Sequence, residues 1–244
     1  MQTDKIQISN NIYCDALFKD IQIQNLRLPN PYFDFPYLII NDFISQELCK
    51  EIVDYSKQID DISKAKVKAT IENGIVQPKL DEKYRKTNIL KLPATFTDIY
   101  HQQFFHFQST IEEYFNAPIT YSTKLQALQY KKGYFYKKHA DDSSELIDKD
   151  KNTIGFQNVA PRRKITSVLF STTCDDTQSS DYVFSGGELV FNYLFDKDNN
   201  QIRLKPKAGD MIVFPSNPYF SHEVLEVQSG YRLSLVQWHD TLLI

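Results

Sequence analysis

The sequence predicts a mainly β fold with flanking helices (α+β): a double-stranded β-helix, or jelly roll, in which helices buttress one sheet. Three observations lead there. Apolar residues at helical spacing are confined to the first half, and from Ile119 onward short apolar runs alternate with turn residues. Glycine is scarce, seven in 244 residues, and Gly133, Gly186, Gly187, Gly209 and Gly230 all fall in that second half. Helices followed by many strands in one chain of this size suit a sheet-rich core with helices on one face.

Taken in order, residues 1–35 show weak alternation (Ile6, Ile8; Ile21, Ile23) and end in Leu28-Pro29-Asn30-Pro31-Tyr32-Phe33, which reads as an extended arm. Residues 36–118 read as a helical support region. Within it Tyr37 to Ile40 reads as a buried strand. Ser45 caps a helix whose apolar face is Leu48, Ile52 and Tyr55. Residues 60–85 are polar and read as a long loop, and Lys86 to Leu92 is strand-like. Phe96 to Phe115 carries Ile99, Tyr100, Phe104, Phe107, Ile111 and Tyr114 at the spacing of an amphipathic helix lying on a sheet. Residues 119–244 then supply the double-stranded β-helix. Its strands are expected over 124–136, 164–172, 188–193, 201–204, 210–215, 222–227 and 231–238, with turns at 196–200 and 216–218. The whole chain, 1–244, reads as one domain.

The bulk properties exclude several classes. Net charge is −3 and nothing resembles the basic footprint of a nucleic-acid binder. No run approaches the roughly 18 apolar residues of a membrane helix, and Met1 to Asn10 lacks an apolar leader core. Cys14, Cys49 and Cys174 are odd in number and widely spaced, which fits a reducing compartment. The expectation is a cytoplasmic protein without nucleic-acid or membrane partners.

The chemistry gathers around Gln129 to Asp141, which ends in His139-Ala140-Asp141. Residues two apart on an extended segment share a face, so this imidazole and carboxylate can grip one metal together. The same period points Asp142 away. His222 can complete a set of two histidines and one carboxylate, which leaves positions open and suits non-haem Fe(II). His101 and His106 fall in the helical stretch and read as bystanders, and His239 has no argued partner.

These residues keep ordered company. Tyr130, Gly133 and Tyr136 precede His139. Arg163 to Ser171, Gly186-Gly187-Glu188-Leu189 and Gly209-Asp210 with Phe214-Pro215-Ser216 follow, and then His222, Arg232, Ser234 and Trp238. The series resembles the Fe(II)/2-oxoglutarate-dependent oxygenases, in the prolyl 4-hydroxylase-like, PKHD-type branch, over roughly residues 125–240. The resemblance implies His139, Asp141 and His222 as iron ligands and Arg232 as the partner of the distal carboxylate of 2-oxoglutarate. Ser234, two residues on, shares its face. It further implies Tyr130 at the co-substrate, with an ordinary strand aromatic as the equal alternative; Tyr136 toward substrate stands on the same footing, and Thr166 can line the co-substrate pocket, although an ordinary β-branched strand residue is its plainer reading. Trp238 reads as a core or rim aromatic. Phe170 departs from the pattern, since some relatives carry a tyrosine there to bond that carboxylate.

The implied activity is hydroxylation of a prolyl or other amino-acid residue in a peptide or protein, with Fe(II), 2-oxoglutarate and O2, ascorbate as reductant, and release of succinate and CO2. Long charged segments at 60–85 and 142–162 read as lids suited to a peptide. A small-molecule or free amino-acid oxygenase remains the alternative, and a non-catalytic jelly-roll binding module is the reading from a different class.

Overall fold

The computed structural model describes residues 12–14, 23–24, 36–59, 62–70, 76–79, 81–148, 153–177 and 180–242. Most of the arm at 1–35, including Ile6, Ile8 and Ile21, lies outside the described residues. Two helices occur among those described, α1 (Gln46–Gln58) and α2 (Ala94–Phe115). The Ser45 hydroxyl accepts the Leu48 N–H at 3.2 Å and starts α1 as expected. Asn116 ends α2 in the left-handed region at φ +48°, while its N–H and that of Ala117 close on the Glu113 and Glu112 carbonyls.

Two sheets form the jelly roll. The larger runs in the order Leu38–Ile40, Met211–Pro215, Ile165–Phe170, Arg232–Thr241, Gln126–Tyr130, Asn88–Leu90 and Ile62–Lys64, with Ile119–Ser122 paired to Arg232–Thr241. The smaller runs Gln201–Leu204, Leu189–Phe195, His222–Val224, Phe135–His139 and Arg85–Lys86. Side chains alternate between the faces of each strand, so the central strands Ile165–Phe170 and Arg232–Thr241 serve two cores at once. Ile165, Leu169, Leu233 and Leu235 join Ile52, Val53, Tyr100, Phe104 and Ile111 beneath the helices. Val168, Phe170, Val236 and Trp238 turn the other way and meet Phe191, Val224 and Leu189 between the sheets. Leu233 and Leu235 are fully enclosed. Truncating either to alanine would cost about 2–5 kcal/mol.

Several expectations need correcting. Within 36–118 the strands expected at 37–40 and 86–92 are present as Leu38–Ile40 and Asn88–Leu90, and Ile62–Lys64, not foreseen, joins them in the larger sheet. Leu38–Ile40 is an edge strand that buries alternate residues and leaves Ile39 43% exposed. The buried stripe of α1 is Cys49, Ile52, Val53 and Ser56, rotated by one position from the predicted face, so Tyr55 is largely exposed. The expected loop at 60–85 contains Ile62–Lys64 and a hairpin of Val67–Thr70 with Val76–Lys79. The expected loop at 142–162 is likewise a hairpin, Ser143–Ile147 with Thr153–Asn158, and Ile12–Cys14 pairs along its outer edge. Polar strands with a solvated face carry little apolar alternation, which hides them in the sequence. The predicted strand 124–136 breaks at a turn where Gly133 takes φ +77°. That turn carries the chain from one sheet to the other. The predicted strand 222–227 likewise divides into His222–Val224 and Val227–Gly230.

The 143–158 hairpin is fastened beside the mouth of the barrel. Lys138 Nζ lies 2.9 Å from Glu145 Oε1, and Thr153 hydrogen-bonds the same carboxylate. Phe156 is fully buried in a small cluster with Ala140. No helix among the described residues is long and apolar enough to cross a membrane. Cys49 and Cys174 are free and buried.

Candidate active site

His139 is the last residue of Phe135–His139 and sits directly opposite His222 on the neighbouring antiparallel strand. Opposed residues of such a pair project from the same face, so register alone brings the two imidazoles together, with ring centroids 4.3 Å apart. Asp141 lies two residues on, in the bend that leaves the strand. Its Oδ1 is 3.8 Å from His139 Nε2, and its Oδ2 is 3.9 Å from His222 Nε2. One ligand atom from each of the three lies within 4.8 Å of the others. The sequence brought these three together, and the structure does the same.

Each imidazole is oriented from behind. His139 Nδ1 lies 2.9 Å from the Lys137 carbonyl, and His222 Nδ1 lies 3.0 Å from that of Phe220. A carbonyl can only accept, so each Nδ1 carries a proton and each Nε2 is the nitrogen turned toward Asp141 and offered to a metal. Burial drives the pKa of His139 well below its usual value, with His222 adding to the effect, which keeps the ring neutral. Burial works against ionising Asp141. The imidazoles of His222 and His139, the Thr166 hydroxyl and Arg163 outweigh it and hold the carboxyl below its ordinary range. Two neutral imidazoles and an ionised carboxylate are the ligand set that divalent iron takes while keeping positions open. The residues fit the ion.

Thr166, expected at the co-substrate, is bonded to the carboxylate instead. Its hydroxyl donates to Asp141 Oδ2 at 2.7 Å, and having one proton it must accept from Ser216 Oγ, also at 2.7 Å. Asp142 does face away, with Ser143 and Asn158 bonded to its carboxylate. His101 and His106 are exposed on α2.

The triad lines a cleft of about 730 Å³, and Arg232 and Ser234 line it as well. Arg232 is 1% exposed. Its Nε donates to the Gly187 carbonyl at 2.9 Å and its Nη1 to Ser234 Oγ at 3.2 Å. The rings of Tyr130, Phe170 and Phe184 surround the guanidinium at 4.7, 5.6 and 5.8 Å. Gly187 takes φ +64°, and a Cβ there would come within 3.2 Å of Arg232 Cδ, so the approach needs glycine. Burial pulls the pKa of Arg232 down. No carboxylate of the described residues pairs with it. A buried guanidinium without a counter-ion is costly unless an anion arrives, and its fork suits a carboxylate. Arg232 therefore fits the distal carboxylate of 2-oxoglutarate.

Tyr136 stacks on His139 with centroids 3.5 Å apart, and Arg85 covers its other face at 4.3 Å. Sequence reasoning missed Arg85 and did not single out Arg163, both of which line the cleft. Arg163 lies 3.8 Å over the Trp238 ring and donates to the Asp141 backbone carbonyl at 3.2 Å. No local motif announces either arginine, because sheet pairing alone carries them to the triad. His239, read without a partner, bonds Ser122 and Ser167 on the far side of the larger sheet.

A jelly roll with a buried pair of imidazoles and one carboxylate opening into a cleft defines a mononuclear non-haem iron oxygenase. Residues 125–240 match the 2OG-Fe(II) oxygenase superfamily. That match and the triad together support a 2-oxoglutarate-dependent dioxygenase working with Fe(II), 2-oxoglutarate and O2. Among solved structures the fold is shared with a prolyl-4-hydroxylase from Pseudomonas putida, at 20% identity and a TM-score of 0.58, over 93% of this chain and 98% of that one. A viral collagen prolyl hydroxylase from Paramecium bursaria Chlorella virus-1, in its 2OG complex, matches at 18% identity and 0.53, over 85% and 97%. A Trichoplax adhaerens prolyl hydroxylase in complex with a hypoxia inducible factor oxygen degradation domain peptide fragment matches at 16% and 0.56, over 84% and 83%. No match to the chain is found among curated proteins.

Proposed function

We propose that this chain hydroxylates a prolyl or other amino-acid residue within a peptide or protein, releasing succinate and CO2, and that it does so as a single oxygenase domain. The observation that carries the reading is the cleft. From Arg232 and Ser234 it passes the triad and continues to Tyr84, Arg85 and Lys66 at an open mouth, which leaves room for more than one residue of an extended chain. The fold shared with prolyl hydroxylases, one of them holding a peptide, supports the same substrate class.

In this reading His139, Asp141 and His222 hold Fe(II). The bound ion, with 2-oxoglutarate and O2, supplies the oxidising power that turns a substrate C–H into C–OH. The protein contributes position, charge and dryness. The backbone carbonyls behind His139 and His222 fix the imidazoles, and Thr166 fixes Asp141. Arg232 and Ser234 take the distal carboxylate in an aromatic surround that keeps water out. Phe214, with its ring centroid 5.0 Å from that of His222, shields that imidazole. Tyr136, held between His139 and Arg85, offers a flat edge to the substrate.

The test is a survey of proline-containing peptides and free amino acids with Fe(II), 2-oxoglutarate and O2, following succinate by NMR and oxygen gain by mass spectrometry. Succinate coupled to oxygen gain on a peptide, lost in Asp141→Ala, is expected. Coupled turnover confined to free amino acids or other small molecules would replace the peptide reading with the small-molecule one.

A further inference from the structure

Two guanidinium groups stand on the open side of the triad without a carboxylate partner. Arg85 lies flat on Tyr136, which lies flat on His139, so its charge is two ring thicknesses from the metal ligands. Its one hydrogen bond is a long one, Nη1 to the Lys66 carbonyl at 3.4 Å, and its buried Nε has no partner. Arg163 lies on Trp238 and spends one N–H on the Asp141 backbone carbonyl. Apart from Lys66, the other cationic side chains nearby are matched. Lys138 pairs with Glu145, Lys64 with Glu82, and the adjacent Arg162 with Asp240. Asp81 turns its carboxylate to the Lys83 backbone N–H.

Among the described residues, then, Arg85 and Arg163 line the cleft near the triad without an ion pair to any acidic side chain; Arg163 feels the charge of Asp141 but touches only its backbone carbonyl. Both line the same cleft as the triad. Two like charges lining one partly dry cleft raise the energy of the empty protein, and an anion bound there relieves it. In the oxygenase reading Arg232 takes its own anion, the distal carboxylate of 2-oxoglutarate, at the other end. The aromatic plates under both guanidiniums fix their planes, leaving the N–H edges as the groups free to bind.

We infer that the substrate carries a carboxylate beside the carbon to be hydroxylated, and that Arg85 and Arg163 bind it. The inference rests on the oxygenase reading above and narrows its substrate class to acidic peptides or, failing peptides, small carboxylic acids. An unpaired, ring-backed guanidinium recognises a carboxylate by paired N–H donors and gains little from a neutral amide of the same shape.

The protein provides its own reporter. Trp238 is the only tryptophan, and Arg163 covers its ring. The experiment titrates the anaerobic protein, saturated with Fe(II) and 2-oxoglutarate, while Trp238 fluorescence is followed. One probe series is blocked alanine pentapeptides with a central proline, in which each flanking alanine becomes aspartate, asparagine or lysine. The other is N-acetylproline against N-acetylprolinamide. With 2-oxoglutarate saturating Arg232, a second carboxylate must find another site. At least one aspartate peptide is expected to bind about tenfold or more tighter than its asparagine twin, the margin of a charge-assisted hydrogen bond. Arg85→Gln and Arg163→Gln should each erase the preference, and Arg→Lys should restore part of it. Comparing acid with amide on the unaltered protein keeps the test valid if a variant fails to fold.

A carboxylate preference seen with the small acid alone would uphold the two-arginine subsite and overturn the peptide reading. Equal binding of aspartate and asparagine peptides, or a preference that survives both glutamine variants, would overturn the subsite and leave the peptide reading standing. No response to any probe at millimolar concentration would overturn both.

Discussion

The hydroxyl of Thr166 and the carboxylate of Asp141 meet at 2.7 Å; an ionised carboxylate can only accept, so Thr166 gives it its one proton and accepts from Ser216. A strand of the larger sheet thereby sets the rotation of a carboxylate carried by the chain leaving the smaller one. Thr166→Val keeps the shape and removes the bond. It should weaken divalent-metal affinity about tenfold, the lower end of what such supporting partners contribute. Anaerobic titration with Fe(II) or Mn(II) measures this, and unchanged affinity would show that Asp141 needs no such anchor.

Ser234 accepts from Arg232 Nη1 at 3.2 Å inside the aromatic surround. Ser234→Ala should raise the KM for 2-oxoglutarate roughly fivefold, for the loss of one hydrogen bond of about 1 kcal/mol. Arg232→Gln should raise it by about a hundredfold or more, because a charge is lost as well. In the anaerobic Fe(II) complex, the weak visible band that 2-oxoglutarate produces should need correspondingly more co-substrate.

Acid should destabilise the fold through His239. Burial pushes its pKa down to about 3 from an ordinary 6.5, with His101 adding to the effect. The unfolded chain therefore takes up a proton near pH 6.5 while the folded one does not. Stability is full above that pH and is lost as pH falls toward 3, by about 2 kcal/mol at pH 5 from this group. Asp142 works oppositely. Burial raises its pKa to about 6, so its contribution is present in acid and lost as pH rises to that value. Urea denaturation at pH 7 and pH 5 isolates His239 when compared with His239→Gln, whose acid loss should be smaller by about that 2 kcal/mol.

Gly230 sits at φ +77°, where a Cβ would lie 2.1 Å from the Val183 carbonyl oxygen. Gly230→Ala should cost about 2 kcal/mol or more, since both a left-handed backbone and a backbone clash are involved. Because Arg232 follows two residues later, weaker 2-oxoglutarate binding should accompany the lower Tm.

What could be read in advance follows the physics of each signal. The meeting of His139, Asp141 and His222, and the place of Arg232 in the same cleft, were legible because short motifs on strands of regular period carry them. The central strands were legible because both their faces are buried and so read as apolar. The hairpins at 67–79 and 143–158 read as loops because their strands are short and mix polar residues with apolar ones without a long alternation. The face of α1 was set one position off, since Leu48 and Tyr55 are as apolar on paper as Cys49 and Val53. Arg85, Arg163 and the Ser122–His239–Ser167 chain depend on contacts between residues far apart in sequence, which no local pattern encodes.

The opposition of His139 and His222 across one strand pair sets where this chain can change length during evolution. A single residue inserted within either strand would turn an imidazole through to the other side of the sheet, because side chains alternate at every step. Insertions in the turn at Asp196–Asn200 leave that pairing untouched, whatever their length. Drift in such turns can remodel the surface around the cleft freely, while the ladder joining the two histidines admits substitution but no gain or loss of residues.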